Sequence, residues 1–259
     1  MATERPDPTF TDDLVLGGRL RLRQPARGHR VGHDAILLAA ATPAAPGEVA
    51  VDLGAGVGAA GLALAQRVSG LVVRLVELDQ QLAELARTNA ARNGLDGRVR
   101  AHALDVTAPP ARFVAVGLGP ATADRVLMNP PFRAAGHAQA SPDARRRIAH
   151  VAPPGALAIW LGTAARLLRR DGTLSLIFRA DGLAELLGII EEAFGAITVL
   201  PVHPKPAVPA IRVIVRAVKG SRGPLTLLPG LTLNGADGRP SPEAEAVLRD
   251  ARVLPLALP

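Results

Sequence analysis

The chain has no cysteine, no tyrosine and one tryptophan, and aromatic residues make up only 2% of its 259 residues. The lack of cysteine excludes disulfide bonds and thiolate metal ligands and fits a reducing compartment. Arginine or glycine interrupts the longest apolar runs, so none is long enough to span a bilayer. The N-terminus carries acids and prolines where a signal peptide has its apolar segment. We therefore expect a cytoplasmic protein without a membrane partner, whose core consists of aliphatic side chains.

Acidic residues are also absent from two stretches, 14–32 and 193–236, which each hold five basic residues. The net charge is +7, and all but two of the basic residues are arginine. An arginine bias can arise from a GC-rich genome, but stretches of one charge favour a polyanionic partner with phosphate groups.

Arginine alternates with leucine at the start of the first basic stretch, so a strand would place Arg19, Arg21 and Arg23 on one face. Such a face can follow an RNA backbone. A solvated edge strand guarded by charge would show the same pattern. We predict substrate binding by Arg21, Arg23, Arg27 and Arg30.

Strand and helix signals alternate through the centre, which favours a parallel α/β sheet. Strands are predicted over 48–54, 71–79, 98–105, 123–128 and 173–179. Helices are predicted over 59–68, 80–94, 155–172 and 182–194. Two further strands, 196–202 and 210–218, are separated by too few residues for a helical crossover and must form an antiparallel hairpin. One more helix is predicted in the tail, with Ser241 as its cap and Pro242 in its first turn.

A glycine-rich loop, VDLGAGVGAAG, joins the first of these strands to the first helix. Gly54, Gly56 and Gly58 permit a tight turn and a close approach of backbone N–H groups to a ligand. In a second register, Gly56, Gly58 and Gly61 match the G-x-G-x-x-G dinucleotide pattern. Glu77 follows 21 residues after Gly56, where an acid holds ribose hydroxyls in either scheme. The loop predicts a cofactor that contains adenosine and leaves open which one.

Two aspartates are predicted to bind this cofactor. Asp105 ends the third strand, at the carboxyl edge where ligands of open α/β sheets bind, and it can accept from an adenine amine or act as a turn residue. Asp52, inside the first strand, can orient the glycine loop or contact an amine of the cofactor. Leu78 and Val106, the neighbours of Glu77 and Asp105, are included in the predicted cofactor site.

The segment DRVLMNPPFR ends a buried strand with Asn129, two prolines and a phenylalanine. Methylation of an exocyclic base amine requires acceptors on its N–H groups, because the lone pair is otherwise delocalised into the ring. The Asn129 side-chain oxygen and the Pro130 carbonyl can be these acceptors, and proline fixes the direction of that carbonyl. Phe132 can stack on an extruded base. We predict that Asn129, Pro130, Pro131 and Phe132 form a catalytic turn and that Arg133 contacts the substrate. The alternative is a turn that ends the strand and packs Phe132 in the core.

The motifs DLGAGVG, VELD, LD at 104–105 and MNPPF, in this order, resemble class I S-adenosylmethionine-dependent methyltransferases of the N-P-P-[YF] group over residues 14–219. The resemblance implies S-adenosylmethionine as cofactor. It also implies a Rossmann-like seven-stranded sheet, mostly parallel with an antiparallel terminal hairpin, flanked by helices. The expected domains are a basic substrate-side segment (1–45), a methyltransferase domain (46–219) and a C-terminal extension (220–259).

The segment LRLRQPARGHRVGHDAILLAAA is similar to the N-terminal part of bacterial tRNA adenine-N6 methyltransferases, which act on the adenine 3′ of the anticodon in a valine tRNA. In that group a basic strand pair leads into a G-T-D-x-[IV]-L-L helix start near the methionine end of the cofactor. The resemblance therefore implies that Gly32, Asp34 and Asn129 contact the cofactor. His33 stands where threonine is usual, and in a similar tail Pro240 replaces an aromatic residue.

The leading hypothesis is a tRNA adenine-N6 methyltransferase. The second is an enzyme of the same fold that acts on guanine N2 of rRNA or on a release-factor glutamine, although release-factor enzymes usually have a helical domain before the first strand. A non-catalytic RNA-binding protein and an NAD-dependent oxidoreductase using the second glycine register are the remaining alternatives. The histidines show no metal-ligand spacing, so no metal is expected.

Overall fold

The computed structural model describes residues 9–27, 30–131 and 155–258. Its strands are β1 (Phe10–Val15), β2 (Leu20–Pro25), β3 (Val49–Leu53), β4 (Val72–Glu77), β5 (Val99–Ala103), β6 (Ala123–Met128), β7 (Leu168–Arg179), β8 (Phe194–His203), β9 (Arg212–Lys219), β10 (Thr226–Leu227) and β11 (Leu231–Thr232). Its helices are α1 (His33–Ala41), α2 (Ala59–Arg67), α3 (Gln80–Arg92), α4 (Pro110–Val114), α5 (Ala156–Leu167), α6 (Leu183–Ile190) and α7 (Pro242–Leu248).

Strands β3 to β11 form one nine-stranded sheet in the order β10-β8-β9-β7-β6-β3-β4-β5, with β11 also paired to β8. Strands β3 to β7 are parallel, whereas β9 runs antiparallel between β7 and β8. This arrangement confirms the mostly parallel α/β sheet with an antiparallel terminal hairpin. The seven predicted strands are present, and the C-terminal extension adds the two-residue strands β10 and β11 to the edge.

Helices cover both faces of the sheet, which explains why the parallel strands are apolar on both sides. Helices α1, α2 and α3 contribute to the core on one face, and α4, α5 and α6 to the core on the other. Local signals define α3 well: the Asp79 side chain caps its first turn by accepting from Gln81 N and Leu82 N. Gly94, with φ +66°, lies just past its end.

The prediction that one helix extends to residue 172 is wrong, because α5 ends at Leu167 and β7 begins at Leu168. Ala123 pairs with Leu168, and the Arg169 guanidinium lies 2.7 Å from an Asp124 carboxylate oxygen. The Lys219 ammonium donates to the Leu168 carbonyl. These contacts with β6 and β9 outweigh the basic residues and glycine that favour a helix C-terminus at 172.

Outside the sheet, β1 and β2 pair as an antiparallel hairpin whose buried Leu20 and Leu22 join the core beside α2 and α3. In the C-terminal extension, α7 begins as predicted, because the Ser241 hydroxyl accepts from Ala244 N at 3.0 Å. Leu254 N donates to the Ala40 carbonyl at the end of α1. None of the helices in the described ranges is long and apolar enough to cross a membrane.

The packing of α2 on β4 can be tested at Gly61. A Cβ atom there would lie 2.4 Å from Leu75 Cδ2, whereas a Cβ at the exposed helical Gly162 would meet nothing within 4 Å. We expect Gly61→Ala to lower the free energy of unfolding by about 1–3 kcal/mol. Gly162→Ala, the matched control, should be neutral or raise it by about 0.5–1 kcal/mol. Equal effects in denaturant unfolding would contradict this account of the interface.

Candidate active site

The carboxyl ends of four neighbouring strands place the predicted site elements in one row. Leu53, the last residue of β3, pairs with Val76 of β4 and with Met128, the last residue of β6. The glycine loop after β3 therefore lies between Glu77 and Asn129. Asp105 follows two residues after β5, on the other side of β4. The topology thus brings together residues as far apart in the sequence as Leu53 and Asn129, which are separated by 76 positions.

The glycine loop is closely packed on one side and open on the other. Gly54 has φ +73°, and a Cβ there would lie 2.5 Å from Cη2 of Trp160, the only tryptophan of the chain. Gly54 N and Ala55 N both donate to the Val76 carbonyl, at 2.8 and 3.0 Å. Gly56 has φ +57°, but an added Cβ would meet nothing within 4 Å. The backbone at Gly56 is therefore accessible to a ligand.

Glu77 holds this loop to the end of β4. One of its carboxylate oxygens accepts from Gly56 N at 2.7 Å, and the other accepts from Asp79 N at 2.9 Å. Burial raises the pKa of Glu77 above its ordinary value, although these N–H donors act in the opposite direction. The next side chain, Leu78, is 59% exposed and offers an apolar surface beside the carboxylate. A carboxylate next to an apolar surface suits a ribose with an attached base.

Asp52 lies behind the loop and is only 2% exposed. Its carboxylate accepts from Gly61 N, in the first turn of α2, at 2.9 Å. Burial raises the pKa of Asp52 to about 7, and the charge of Glu77 contributes in the same direction. Of the two roles considered for Asp52, the contact seen here corresponds to orientation of the loop and of α2.

Asp105 makes the turn contact that the sequence offered as one of two alternatives. One carboxylate oxygen accepts from Thr107 N at 2.7 Å and from the Thr107 hydroxyl at 2.8 Å. The other oxygen has no hydrogen-bond partner within the described ranges, so this turn contact leaves an acceptor for a ligand amine. Val106 is buried, and its carbonyl accepts from the Thr163 hydroxyl of α5.

Asn129 is half-buried at the end of β6, and Pro130 behind it is buried. Within the part of the chain that the structure describes, the Asn129 amide has no hydrogen-bond partner, so its oxygen remains an available acceptor. Pro131 is the last described residue of the turn. Phe132 and Arg133, and with them their predicted roles, lie outside the described residues.

Helix α1 begins at the same edge of the sheet, as its predicted helix start implied. Gly32 is its N-cap, and Asp34 lies in its first turn. An Asp34 carboxylate oxygen accepts from Arg212 Nε at 2.9 Å, at the start of β9. This ion pair occupies one carboxylate oxygen of Asp34, a residue that is predicted to bind the cofactor. It also connects α1 to the terminal hairpin of the sheet.

The predicted RNA-binding arginines differ in their surroundings. Arg21 and Arg27 are exposed, whereas Arg23 lies over the Phe10 ring at 5.1 Å from its centroid. Arg30 pairs with both carboxylate oxygens of Asp13, at 3.0 and 2.9 Å. Burial acts to raise the pKa of Asp13, but hydrogen bonds and the Arg30 charge outweigh it and lower that pKa. The Asp13 carboxylate therefore neutralises part of the positive charge of the basic stretch 14–32.

Three site residues were missed by the sequence analysis. Trp160 supports Gly54 from α5, and Asn89 of α3 and Asn93, the residue directly after α3, bind the N-terminal hairpin. Asn89 carried a signal, because asparagine is unfavourable inside a helix. Trp160 carried none, since its contact with Gly54 depends on the packing of α5. No group of three metal-binding side chains occurs within the described ranges.

Residues 29–205 match the family described as methyltransferase small domain. A tRNA1(Val) (adenine(37)-N6)-methyltransferase of Porphyromonas gingivalis is 31% identical over 67% of this chain and 68% of its own length. A release factor glutamine methyltransferase of Chlorobaculum tepidum is 31% identical over 58% of this chain and 52% of its own length. The crystal structure of a predicted O-methyltransferase from Agrobacterium tumefaciens has 30% identity and a TM-score of 0.70, covering 85% of this chain and 97% of that one.

The fold, the row of site residues and these matches define an S-adenosylmethionine-dependent methyltransferase. The chain belongs to the methyltransferase small domain family. The site fits the cofactor: Gly56 offers backbone with open space before it, Glu77 offers a ribose acceptor and Asp105 retains a free acceptor oxygen. The NAD-dependent alternative is therefore wrong.

The pH dependence of stability tests the buried state of Asp52. Its pKa of about 7 in the folded protein exceeds the ordinary value of 3.8, so the folded state holds a proton between these values that the unfolded state releases. The stability that wild type has relative to Asp52→Asn should therefore decline from pH 4 to pH 7, by on the order of 4 kcal/mol, and then level off. Denaturant unfolding of both proteins measures this difference, and a constant difference over that range would contradict the assignment.

Proposed function

We propose that the protein methylates the N6 amine of an adenine in tRNA, namely the anticodon-loop adenine of a valine tRNA. The observation that carries this proposal is the position of Asn129 and Pro130 directly beside the glycine loop, with the Asn129 amide unpaired among the described residues. The named activity of the Porphyromonas gingivalis relative supports the adenine substrate.

Bound S-adenosylmethionine supplies an electrophilic methyl group. The chain contributes two acceptors: the Asn129 side-chain oxygen and the Pro130 carbonyl each accept one N–H of the adenine amine. These hydrogen bonds would favour a pyramidal nitrogen whose lone pair can attack the methyl carbon. The methyl–sulfur bond would break, S-adenosylhomocysteine would be the leaving group, and the methylated nitrogen would release one proton to solvent. The residues act by positioning and by electrostatics, so a strong general base is not needed.

The N-terminal hairpin supports RNA as the substrate class. Arg21 and Arg27 are exposed, and neither has an ion-pair partner within the described ranges. The buried Leu20 and Leu22 on either side of Arg21 fix its side chain on the solvent face of β2. An exposed arginine face attached to a base-methylating site suits a phosphate backbone.

A glutamine of a protein release factor is the second candidate substrate. The Chlorobaculum tepidum relative with this named activity is 31% identical to the chain, and an amide nitrogen is as planar as an adenine amine. The basic hairpin favours RNA over this alternative, because a glutamine side chain offers no phosphate to bind.

Incubation with S-adenosylmethionine and bacterial tRNA, followed by nucleoside mass spectrometry, tests the proposed reaction. We expect new N6-methyladenosine with wild type and at least a 100-fold lower rate with Asn129→Ala, because an acceptor that acts in the transition state is lost. Cofactor affinity should change little. Asn129→Asp keeps an acceptor oxygen and should retain measurable activity.

Three results would count against this proposal. Formation of N2-methylguanosine would show that the substrate is guanine rather than adenine. The absence of any RNA product, together with methylation of a release factor, would support the glutamine alternative. A loss of cofactor affinity in Asn129→Ala equal to its loss of activity would contradict the acceptor role.

The salt dependence of tRNA affinity tests the hairpin as the RNA-binding surface. The double variant Arg21→Gln/Arg27→Gln should reduce the slope of log affinity against log salt concentration by about 1.4–1.8. Each phosphate contact that is lost removes its share of the counterion release that makes binding depend on salt. Arg170→Gln is the matched control, since this exposed arginine lies at the amino end of β7, away from the site. Equal slopes for all three proteins would indicate that the hairpin is a solvated edge guarded by charge and does not bind RNA.

A further inference from the structure

Asn89 of α3 and Asn93, the C-cap residue directly after α3, bind the edge of β2 in the way that a neighbouring strand would. The Asn93 side chain accepts from Arg21 N at 2.9 Å and donates to the Arg21 carbonyl at 2.7 Å. One helical turn earlier, the Asn89 side chain accepts from Arg23 N at 2.7 Å and donates to the Arg23 carbonyl at 3.0 Å. Both amides therefore satisfy backbone groups that an unpaired edge would leave open.

Asn89 differs from Asn93 in one further contact. Its amide nitrogen also donates to the Val57 carbonyl at 3.0 Å, inside the glycine loop. Asn93 instead donates to the Asn89 carbonyl of its own helix. Asn89 is fully buried, so its amide holds the hairpin and the loop within the protein interior. A buried amide is expensive to leave unpaired, so these three hydrogen bonds are maintained together.

The Asn89 contact lies next to the residue that Glu77 holds. Glu77 accepts from Gly56 N on one side of the loop, and Asn89 donates to the Val57 carbonyl at the adjacent residue. The backbone of the glycine loop is thus held at two successive residues. Glu77, at the end of β4, binds Gly56 N, and Asn89 of α3, which also binds the hairpin, binds the Val57 carbonyl. Asn89 therefore links β2 to the loop directly, by hydrogen bonds from one side chain to both.

We propose that Asn89 is a positioning residue that couples the RNA-facing hairpin to the cofactor loop. RNA that orders the hairpin also orders the Val57 carbonyl through Asn89, so RNA and cofactor increase each other's affinity. This coupling rests on the proposed function for its RNA ligand, whereas the effect of Asn89 on the loop does not. By linkage, the factor by which RNA tightens cofactor binding equals the factor by which cofactor tightens RNA binding.

Calorimetric titration with S-adenosylhomocysteine, in the absence and presence of saturating valine tRNA transcript, tests this coupling. In wild type we expect tRNA to tighten S-adenosylhomocysteine binding at least about 5-fold. Asn93→Ala is the matched control: it loses two hydrogen bonds to β2 but keeps the link to Val57, so tRNA affinity should fall while the coupling factor persists. In Asn89→Ala the factor should approach 1, and S-adenosylhomocysteine alone should bind about tenfold more weakly.

A general loss of folding is distinguished by a second variant. Asn89→Asp preserves the shape and the acceptor for Arg23 N but removes the donors to the Arg23 and Val57 carbonyls, so it should also lose the coupling. The proposal would be overturned if the Asn89 variants kept the wild-type coupling factor. It would also be overturned if Asn93→Ala lowered the coupling factor as much as the Asn89 variants do, or if the coupling factor of wild type were 1. Wild type that binds S-adenosylhomocysteine but no tRNA would overturn the proposed function instead. In that case, equal S-adenosylhomocysteine affinities of Asn89→Ala and Asn93→Ala would overturn the role of Asn89 as well.

Discussion

The hydrogen bond from Gly56 N to the Glu77 carboxylate is the contact on which the site depends. It joins the loop after β3 to the end of β4, and it positions the open backbone of the loop beside the Glu77 carboxylate, the proposed ribose acceptor. Two N–H donors offset part of the cost of burying Glu77 and hold the carboxylate in place before a ligand arrives. Preorganisation of this kind lowers the entropy lost on binding.

The remaining contacts extend this arrangement in two directions. Trp160 and Asp52 support the loop from α5 and from β3, so the core on each face of the sheet reaches the cofactor site. Asn89 connects the same loop to the N-terminal hairpin. The N-terminal hairpin and the glycine loop are therefore parts of one hydrogen-bonded unit, although the residues that build them lie far apart in the sequence.

Sequence alone predicted the features that depend on local patterns. Apolar runs that alternate with helix signals predicted the parallel strands. They also placed Gly56, Glu77 and Asn129 at the carboxyl ends of these strands, which lie at one edge of a parallel sheet. Sequence alone failed at Leu168, where pairing with β6 overrides helix-ending signals. It also missed the partners of the arginines, since the Asp13–Arg30 pair and the Asn89–Arg23 contacts depend on how the hairpin folds back onto the domain.

A crystal structure of the protein with S-adenosylhomocysteine would show whether this row of strand ends holds the cofactor. We expect the ribose hydroxyls on the Glu77 carboxylate, the base beside Leu78 and Asp105, and the sulfur end of the ligand toward Asn129. A ligand whose ribose lies away from Glu77, or whose sulfur end points away from Asn129, would contradict the assignment of this row of strand ends as the methyl-transfer site.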